Sequence, residues 1–324
     1  MEYTTLGSTG MEVSRICLGC MSFGDPEWRD WVLTEDEGEP IIERAIDLGI
    51  NFFDTANMYS TGESERILGN ALEGRRKEMV VATKGYFQMD EDDPNSGGLS
   101  RKAIEQELDA SRERLGMDTI DLYQIHRWDY ETPIEQTMRA LDDAVRREKI
   151  RYPGASSMWT HQFASAQHTS ERLGLDRFAT MQNHYSLLYR EEEREMLPYC
   201  EKNDVGVIPW SPLARGYLTR PHEAFDATAR GEVDEHAREH PYFQGNGKQI
   251  NERVQELADQ KDCSMAQIAL SWVLHQDVVD APIVGTTSVE HLEEAVEALD
   301  ISLSESDQAW LEESYEPVGV SGHE

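Results

Sequence analysis

Eight short apolar runs punctuate this chain, and each is followed by a longer segment of helical spacing. The runs are Arg15–Cys20, Asn51–Asp54, Met79–Thr83, Ile120–Ile125, Ile150–Tyr152, Phe178–Met181, Val205–Ile208 and Ala281–Val284. Between them lie Glu39–Leu48, Glu63–Leu72, a helix capped by Ser100 that runs to Leu115, Glu135–Arg146, His161–Leu173, Glu191–Glu201 and Asn251–Val273. Glu290–Leu299 closes the series, and Glu305–Tyr315 adds a helix beyond it. Such alternation implies a mostly parallel sheet, because a strand that returns after a helical crossover points the same way. Eight units with no Gly-rich dinucleotide turn favour a closed barrel over a doubly wound sheet. The expected fold is an α/β (β/α)8 TIM barrel, with residues 1–324 forming one domain. Two departures stand out. Ser8-Thr9-Gly10, set between extended pieces of residues 3–14, predicts a hairpin capping the bottom of the barrel. Residues 211–250, rich in Gly, Pro and charge, predict a long insertion on the active face.

Charge narrows the function classes. The chain carries 63 acidic and 30 basic residues, a net charge of −33, which argues against nucleic-acid binding. Only seven of the basic residues are Lys. Distributed acid with little Lys is the composition expected of a halophilic surface that stays hydrated in concentrated salt. No stretch approaches the roughly 20 apolar residues of a membrane span. Nor does the start at Met1-Glu2-Tyr3-Thr4-Thr5-Leu6-Gly7 resemble a signal peptide, so a cytoplasmic protein is expected. Cys17, Cys20, Cys200 and Cys263 are too few for a disulfide framework. Cys17-Leu18-Gly19-Cys20 matches a redox spacing but sits in an apolar strand, so it reads as core.

In such a barrel the chemistry stands at the carboxyl ends of the strands. Asp54 ends the second run and Tyr59 follows five residues on, while Lys84 ends the third and His126 the fourth. Singly, each has an ordinary structural explanation; jointly, four polar groups on one rim point to chemistry. A carbonyl oxygen gains negative charge as hydride arrives, so it needs a proton and a positive field. A phenol beside an ammonium supplies both, because the ammonium favours the phenolate. On this reading Tyr59 is the acid, Lys84 tunes it, Asp54 holds Lys84 charged, and His126 orients the substrate oxygen.

Phe53-Asp54-Thr55-Ala56-Asn57-Met58-Tyr59, Ala82-Thr83-Lys84 and Tyr123-Gln124-Ile125-His126-Arg127-Trp128-Asp129 resemble the aldo-keto reductases. The resemblance runs in order from about Tyr3 to Leu299. Gln182-Asn183-His184-Tyr185-Ser186-Leu187-Leu188-Tyr189-Arg190 is most similar to the members resembling potassium-channel β subunits. The family implies an NAD(P)H-dependent oxidoreductase acting on a small aldehyde or ketone. It also implies that Ser156, Ser157 and Gln182 hold the nicotinamide carboxamide and that Trp210 stacks on its ring. Ser211, Leu213, Arg215 and Gly216 resemble the loop that wraps the pyrophosphate. Gly285, Thr286, Thr287, His291 and Glu294 fall where relatives bind the adenosine end. Relatives carry Lys or Arg near Thr287, and this chain offers hydroxyls and His291 instead, so NADPH is expected with NADH possible.

Substrate contacts are expected from Trp28, Trp31, Tyr86, Phe87 and Trp128, which would form an aromatic pocket. His236 and His240 have the i,i+4 spacing of a metal pair but no third ligand nearby, so no metal is expected. Lys248 is a candidate for the missing phosphate charge, with a solvated loop position the more ordinary explanation. Pro153 stands in a strand interior, where a ladder donor is lost. The alternatives are a cofactor-binding regulatory subunit with weak turnover, and a barrel hydrolase using Asp54. The sequence leaves the oligomeric state open.

Overall fold

The computed structural model describes residues 1–227 and 241–323. An antiparallel hairpin, β1 (Tyr3–Thr5) and β2 (Glu12–Ser14), precedes the barrel strands. These are β3 (Cys17–Gly19), β4 (Phe52–Asp54), β5 (Val80–Gly85), β6 (Ile120–Ile125), β7 (Ile150–Ser156), β8 (Thr180–Gln182), β9 (Gly206–Val207) and β10 (Ile283–Gly285). They pair in parallel in the order β10-β3-β4-β5-β6-β7-β8-β9. The two ends of that order meet, because Ile283 N donates to Pro209 O at 2.8 Å and Asp280 N to Val207 O at 2.9 Å. The sheet is therefore a closed (β/α)8 barrel. Among the described residues, no helix is long and apolar enough to cross a membrane.

Helices wrap the outside: α1 (Glu35–Asp47), α2 (Glu63–Ala71), α3 (Arg101–Arg114), α4 (Ile134–Arg146), α5 (Thr160–Leu173) and α6 (Met196–Lys202). They continue with α7 (Gly247–Lys261), α8 (Met265–Leu274), α9 (Val289–Glu297) and the additional α10 (Glu305–Glu312). Three of them differ from the sequence expectation. The first starts at Glu35 rather than Glu39, because the Glu37 carboxylate accepts from Thr34 N and Oγ1 and closes a capping box. Gly38 lies inside this helix and lets it close on Phe23, whose ring lies 2.9 Å from where a Cβ would stand. The single helix expected over 251–273 is two, divided at Asp262, which has φ +54°, with Ser264 and Gln267 capping the second. The segment expected over 191–201 is a short 3-10 turn, Glu191–Arg194, followed by α6.

The hairpin plugs the amino-terminal end of the barrel. Leu6 and Val13 are fully buried against Cys17, Phe52, Ala82, Leu122 and Ile208. Apolar burial of this kind contributes roughly 25 cal/mol per Å2. Cys17 and Cys20 are buried free thiols, pushed up by burial, which removes any redox reading. Pro153 also has an account. Its carbonyl stays in the sheet, accepting from Ala179 N at 2.8 Å, and the regular β7–β8 pairing begins only one residue later, at Gly154 and Thr180. Just before that pairing, the Gln167 amide of α5 satisfies the backbone of Phe178, donating to its O at 2.9 Å and accepting from its N at 3.0 Å. Pro153 therefore stands at the edge of the regular β7–β8 ladder.

Asp280 joins the hairpin to the barrel, its Oδ2 accepting from Gly7 N at 2.9 Å and Val207 N at 3.2 Å. Burial pushes its carboxyl up to about 6. A raised folded-state value favours the protonated form, so stability falls as pH rises from the unfolded value, near 4, through about 6. Asp280→Asn keeps an acceptor in place and removes the buried charge. It is expected to raise the melting point at pH 8, by the equivalent of about 1–3 kcal/mol. The gain should shrink through pH 5 and vanish as the pH of the melt drops below about 4, and a lower melting point at pH 8 would refute the assignment.

Candidate active site

Parallel register brings the four candidate side chains to one rim, since Asp54 pairs with Ala82 and Lys84 with Gln124. Lys84 is fully buried, and its Nζ donates to Asp54 Oδ1 at 2.5 Å, Thr55 O at 2.8 Å and Tyr59 Oη at 3.3 Å. Burial opposes its charge, but the Asp54 carboxylate and the Tyr59 oxygen outweigh that and hold it above its ordinary value. His126 crosses Tyr59 edge to face, with centroids 5.9 Å apart. Burial, then the charges of Lys84 and Arg127, push His126 well below its usual range, so it is a neutral imidazole. A phenol, an ammonium and a neutral imidazole therefore meet at one point of the cleft.

Asp54 is itself anchored. Its Oδ2 accepts from Gln124 Nε2 at 3.0 Å and Gln182 Nε2 at 2.9 Å, and Gln182 also donates to Gln124 Oε1 at 3.2 Å. The sequence reading missed Gln124. Its signal was a neutral polar residue two places before His126, inside a strand that is buried along its whole length. Gln182 needs a correction in part, because its amide nitrogen is spent on Asp54 and Gln124 and only its oxygen remains to meet a carboxamide.

The loop carrying Tyr59 is held on both sides. Asn57 N donates to Lys84 O at 3.1 Å, and Asn57 Nδ2 to the buried Glu107 carboxylate at 3.1 Å. Ser60, Thr61 and Gly62 then turn through φ of 46°, 53° and 93°. Gly24 permits that turn, since a Cβ there would stand 2.1 Å from Ser60 Oγ.

These residues open into a cleft of about 1120 Å3. Ser156, Gln182, Trp210, Ser211, Leu213, Arg215 and Gly216 line one part of it, and Gly285, Thr286, Thr287, His291 and Glu294 another. Trp210 stacks on His184 at 4.1 Å, His184 stacks on Tyr189 at 4.0 Å, and Trp210 also reaches the cleft. The loop after β9 turns through left-handed Ser211, Ala214, Arg215 and Gly216. Ser157 does not line the cleft; it accepts from Trp210 Nε1 at 3.1 Å and supports that ring from behind. Near the start of α9, Ser288 caps the helix and Ser22 Oγ donates to Thr286 O at 2.6 Å. A cleft of this volume, lined by polar side chains, an indole and loop backbone, has room for a dinucleotide.

Of the substrate candidates, Trp28, Trp31 and Phe87 line the cleft, with Trp28 6.5 Å from the Tyr59 ring. Tyr86 and Trp128 do not: both are partly buried and pack on the hydrophobic core instead. Lys248 faces Glu223 and Glu252 rather than the cleft, and so supplies no phosphate charge. Within the expected insertion, residues 211–225 contribute to the cleft and α7 begins at Gly247. His236 and His240 lie outside the described residues.

Known proteins resemble this chain along most of its length. Residues 15–316 match the model of the aldo/keto reductase family. A putative aryl-alcohol dehydrogenase of Schizosaccharomyces pombe is 45% identical, over 99% of this chain and 97% of its own. The versiconal hemiacetal acetate reductase of Aspergillus parasiticus is 44% identical, over 99% of this chain and 98% of its own. An aldo-keto reductase of Metarhizium robertsii is 42% identical, over 100% of this chain and 93% of its own. These relatives bear the names of reductases and dehydrogenases, so the likeness to channel subunits read from residues 182–190 is corrected toward fungal enzymes.

Proposed function

The chain belongs to the aldo/keto reductase family, and on that premise we propose that it reduces aryl aldehydes or ketones with NADPH, accepting NADH as well. The observation that carries the reading is the contact of Lys84 Nζ with Asp54 and Tyr59 at the floor of an aromatic-lined cleft. The nicotinamide cofactor, when bound, supplies the hydride. Tyr59 hands its phenolic proton to the carbonyl oxygen, Lys84 stabilises the phenolate left behind, and neutral His126 holds that oxygen in line. Trp28, Trp31 and Phe87 give an aryl body apolar surface, in keeping with the aryl-alcohol name of the Schizosaccharomyces relative. The hydrolase alternative fails on Asp54, whose two oxygens are taken by Lys84, Gln124 and Gln182.

Trp210 favours a nicotinamide ring beside it, with Ser156 and the Gln182 oxygen for the carboxamide and Arg215 for the pyrophosphate. At the adenosine end, residues 285–295 contain neither Lys nor Arg, leaving Thr286, Thr287, His291 and the start of α9 to meet a 2′-phosphate. Preference for NADPH should therefore be modest. Fluorescence titration is expected to give Kd values for NADPH and NADH within about tenfold of each other. Both should be oxidised only when an aryl aldehyde is present; no binding of either would sink the reading. The same reading takes the −33 charge as a surface made for concentrated salt.

A further inference from the structure

The cleft is charged differently from the rest of the chain. Among the described residues its lining includes Arg29, Arg127, Arg215 and Arg220, against Asp30, Glu37, Glu294 and Asp54, which is paired with Lys84. Arg127 is the cation beside the candidate catalytic groups. Its Nη1 donates to its neighbour His126 O at 2.7 Å, and its guanidinium lies 5.8 Å from the Phe87 ring centroid. Phe87 in turn crosses His126 edge to face at 5.0 Å. The Arg127 charge acts on both Tyr59 and His126.

No carboxylate of the described residues lies within ion-pair distance of Arg127. That is informative in a chain with 63 acidic residues, where the partly buried guanidiniums of Arg76, Arg114, Arg190 and Arg253 each meet one, and Arg15, which meets none, is instead held by two carbonyls, Val279 O and Leu274 O. Burial pushes Arg127 down from its ordinary value, yet guanidinium remains charged at any working pH. A half-buried charge with a single carbonyl partner is costly unless a ligand completes it. Arg220 also lacks an ion pair among the described residues, but its hydrogen bonds are to Thr219, in the loop after β9.

We propose that Arg127 reads an anion on the substrate, so that the carbonyl compound taken by this cleft is an aryl aldehyde or ketone bearing a carboxylate. The proposal rests on the reductase reading. A carboxylate matches the planar fork of guanidinium with two parallel hydrogen bonds, which a neutral ester cannot accept with equal strength. The aryl body then lies against Phe87 and the Trp28–Trp31 wall, while the carbonyl oxygen meets Tyr59 and His126. In reduction the carboxylate is a bystander: the carbonyl carbon gains hydride, its oxygen gains the phenolic proton, and the carboxylate remains bound to Arg127.

The test compares para-carboxybenzaldehyde with its methyl ester at one ionic strength, in wild type, Arg127→Gln and Arg127→Lys. Wild type should prefer the acid by at least about tenfold in kcat/KM, Arg127→Gln should bring that ratio to about one, and Arg127→Lys should keep part of it. If the Gln variant fails to fold, the Lys variant carries the comparison. A wild-type ratio of one or less overturns the proposal. So do equal losses on acid and ester, which would mean that Arg127 acts through Tyr59 or His126. Benzoate binding to the cofactor complex, read by fluorescence, needs no turnover. Tight binding by wild type that weakens at least about tenfold in Arg127→Gln, with no carbonyl reduced, leaves the anion site standing and sinks the reductase reading. Ester reduction without benzoate binding does the reverse.

Discussion

Tyr59→Phe is expected to lower kcat by about 10^3-fold while Kd for NADPH stays within about threefold of wild type. The substitution removes one oxygen and little else. The ring that meets Trp28 and His126 remains, and so do the Lys84 bonds to Asp54 and Thr55. What disappears is the proton donor 3.3 Å from the ammonium. Lys84 is a poor substitute, because Asp54 and Thr55 O already take its other hydrogens. General acid catalysis of this sort is worth roughly 10^2 to 10^4-fold. Steady-state rates with an aryl aldehyde, paired with cofactor fluorescence on the same samples, separate the two effects. Turnover within tenfold of wild type would give the acid role to another group. A parallel loss of cofactor affinity would show that the phenol holds the dinucleotide rather than the proton.

The candidate catalytic groups could be picked out in the sequence because strand ends in a barrel leave few options. Asp54, Lys84 and His126 each stand at the carboxyl end of an apolar run, and parallel register turns sequence position into spatial rim. Tyr59 lies in a loop and was found through its motif. The groups that support them were harder. Gln124 sits inside a buried strand, and only the facing oxygen of Asp54, some 70 residues away in the chain, explains it. Arg127 lay in plain view within the His126 motif, but its significance is the carboxylate it does not meet, which no local pattern records. Tyr86 and Trp128 failed for a related reason. Loop aromatics next to a catalytic residue point either to the cleft or to the core, and chain direction outside the strands decides. The division of the 251–273 helix was recoverable, since Ser264 and Gln267 have capping-box spacing, but sustained apolar periodicity across Asp262 hid it.

Lowering KCl from about 2 M to about 0.01 M is expected to reduce the melting point by more than about 15 °C, with loss of activity that salt restores. The charge is the cause. A protein of 37.0 kDa exposes about 14,000 Å2, so 33 uncompensated negative charges stand roughly 20 Å apart. The Debye length is about 30 Å at 0.01 M and about 10 Å at 0.1 M, so neighbours repel in the first case and are mostly hidden in the second. Screening alone would therefore be complete by a few tenths molar. A surface selected for concentrated salt should keep gaining beyond that, because its carboxylates hold hydrated cations that dilute salt does not supply. Few charges can be relieved internally, as the chain has only seven Lys and many of its Arg are already paired. The decisive stretch is 0.5 to 2 M KCl: a melting point that climbs by several degrees there supports the salt-adapted surface. A plateau from 0.3 M upward reduces the excess acid to ordinary screening, and a flat profile from 0.01 M removes any role for salt.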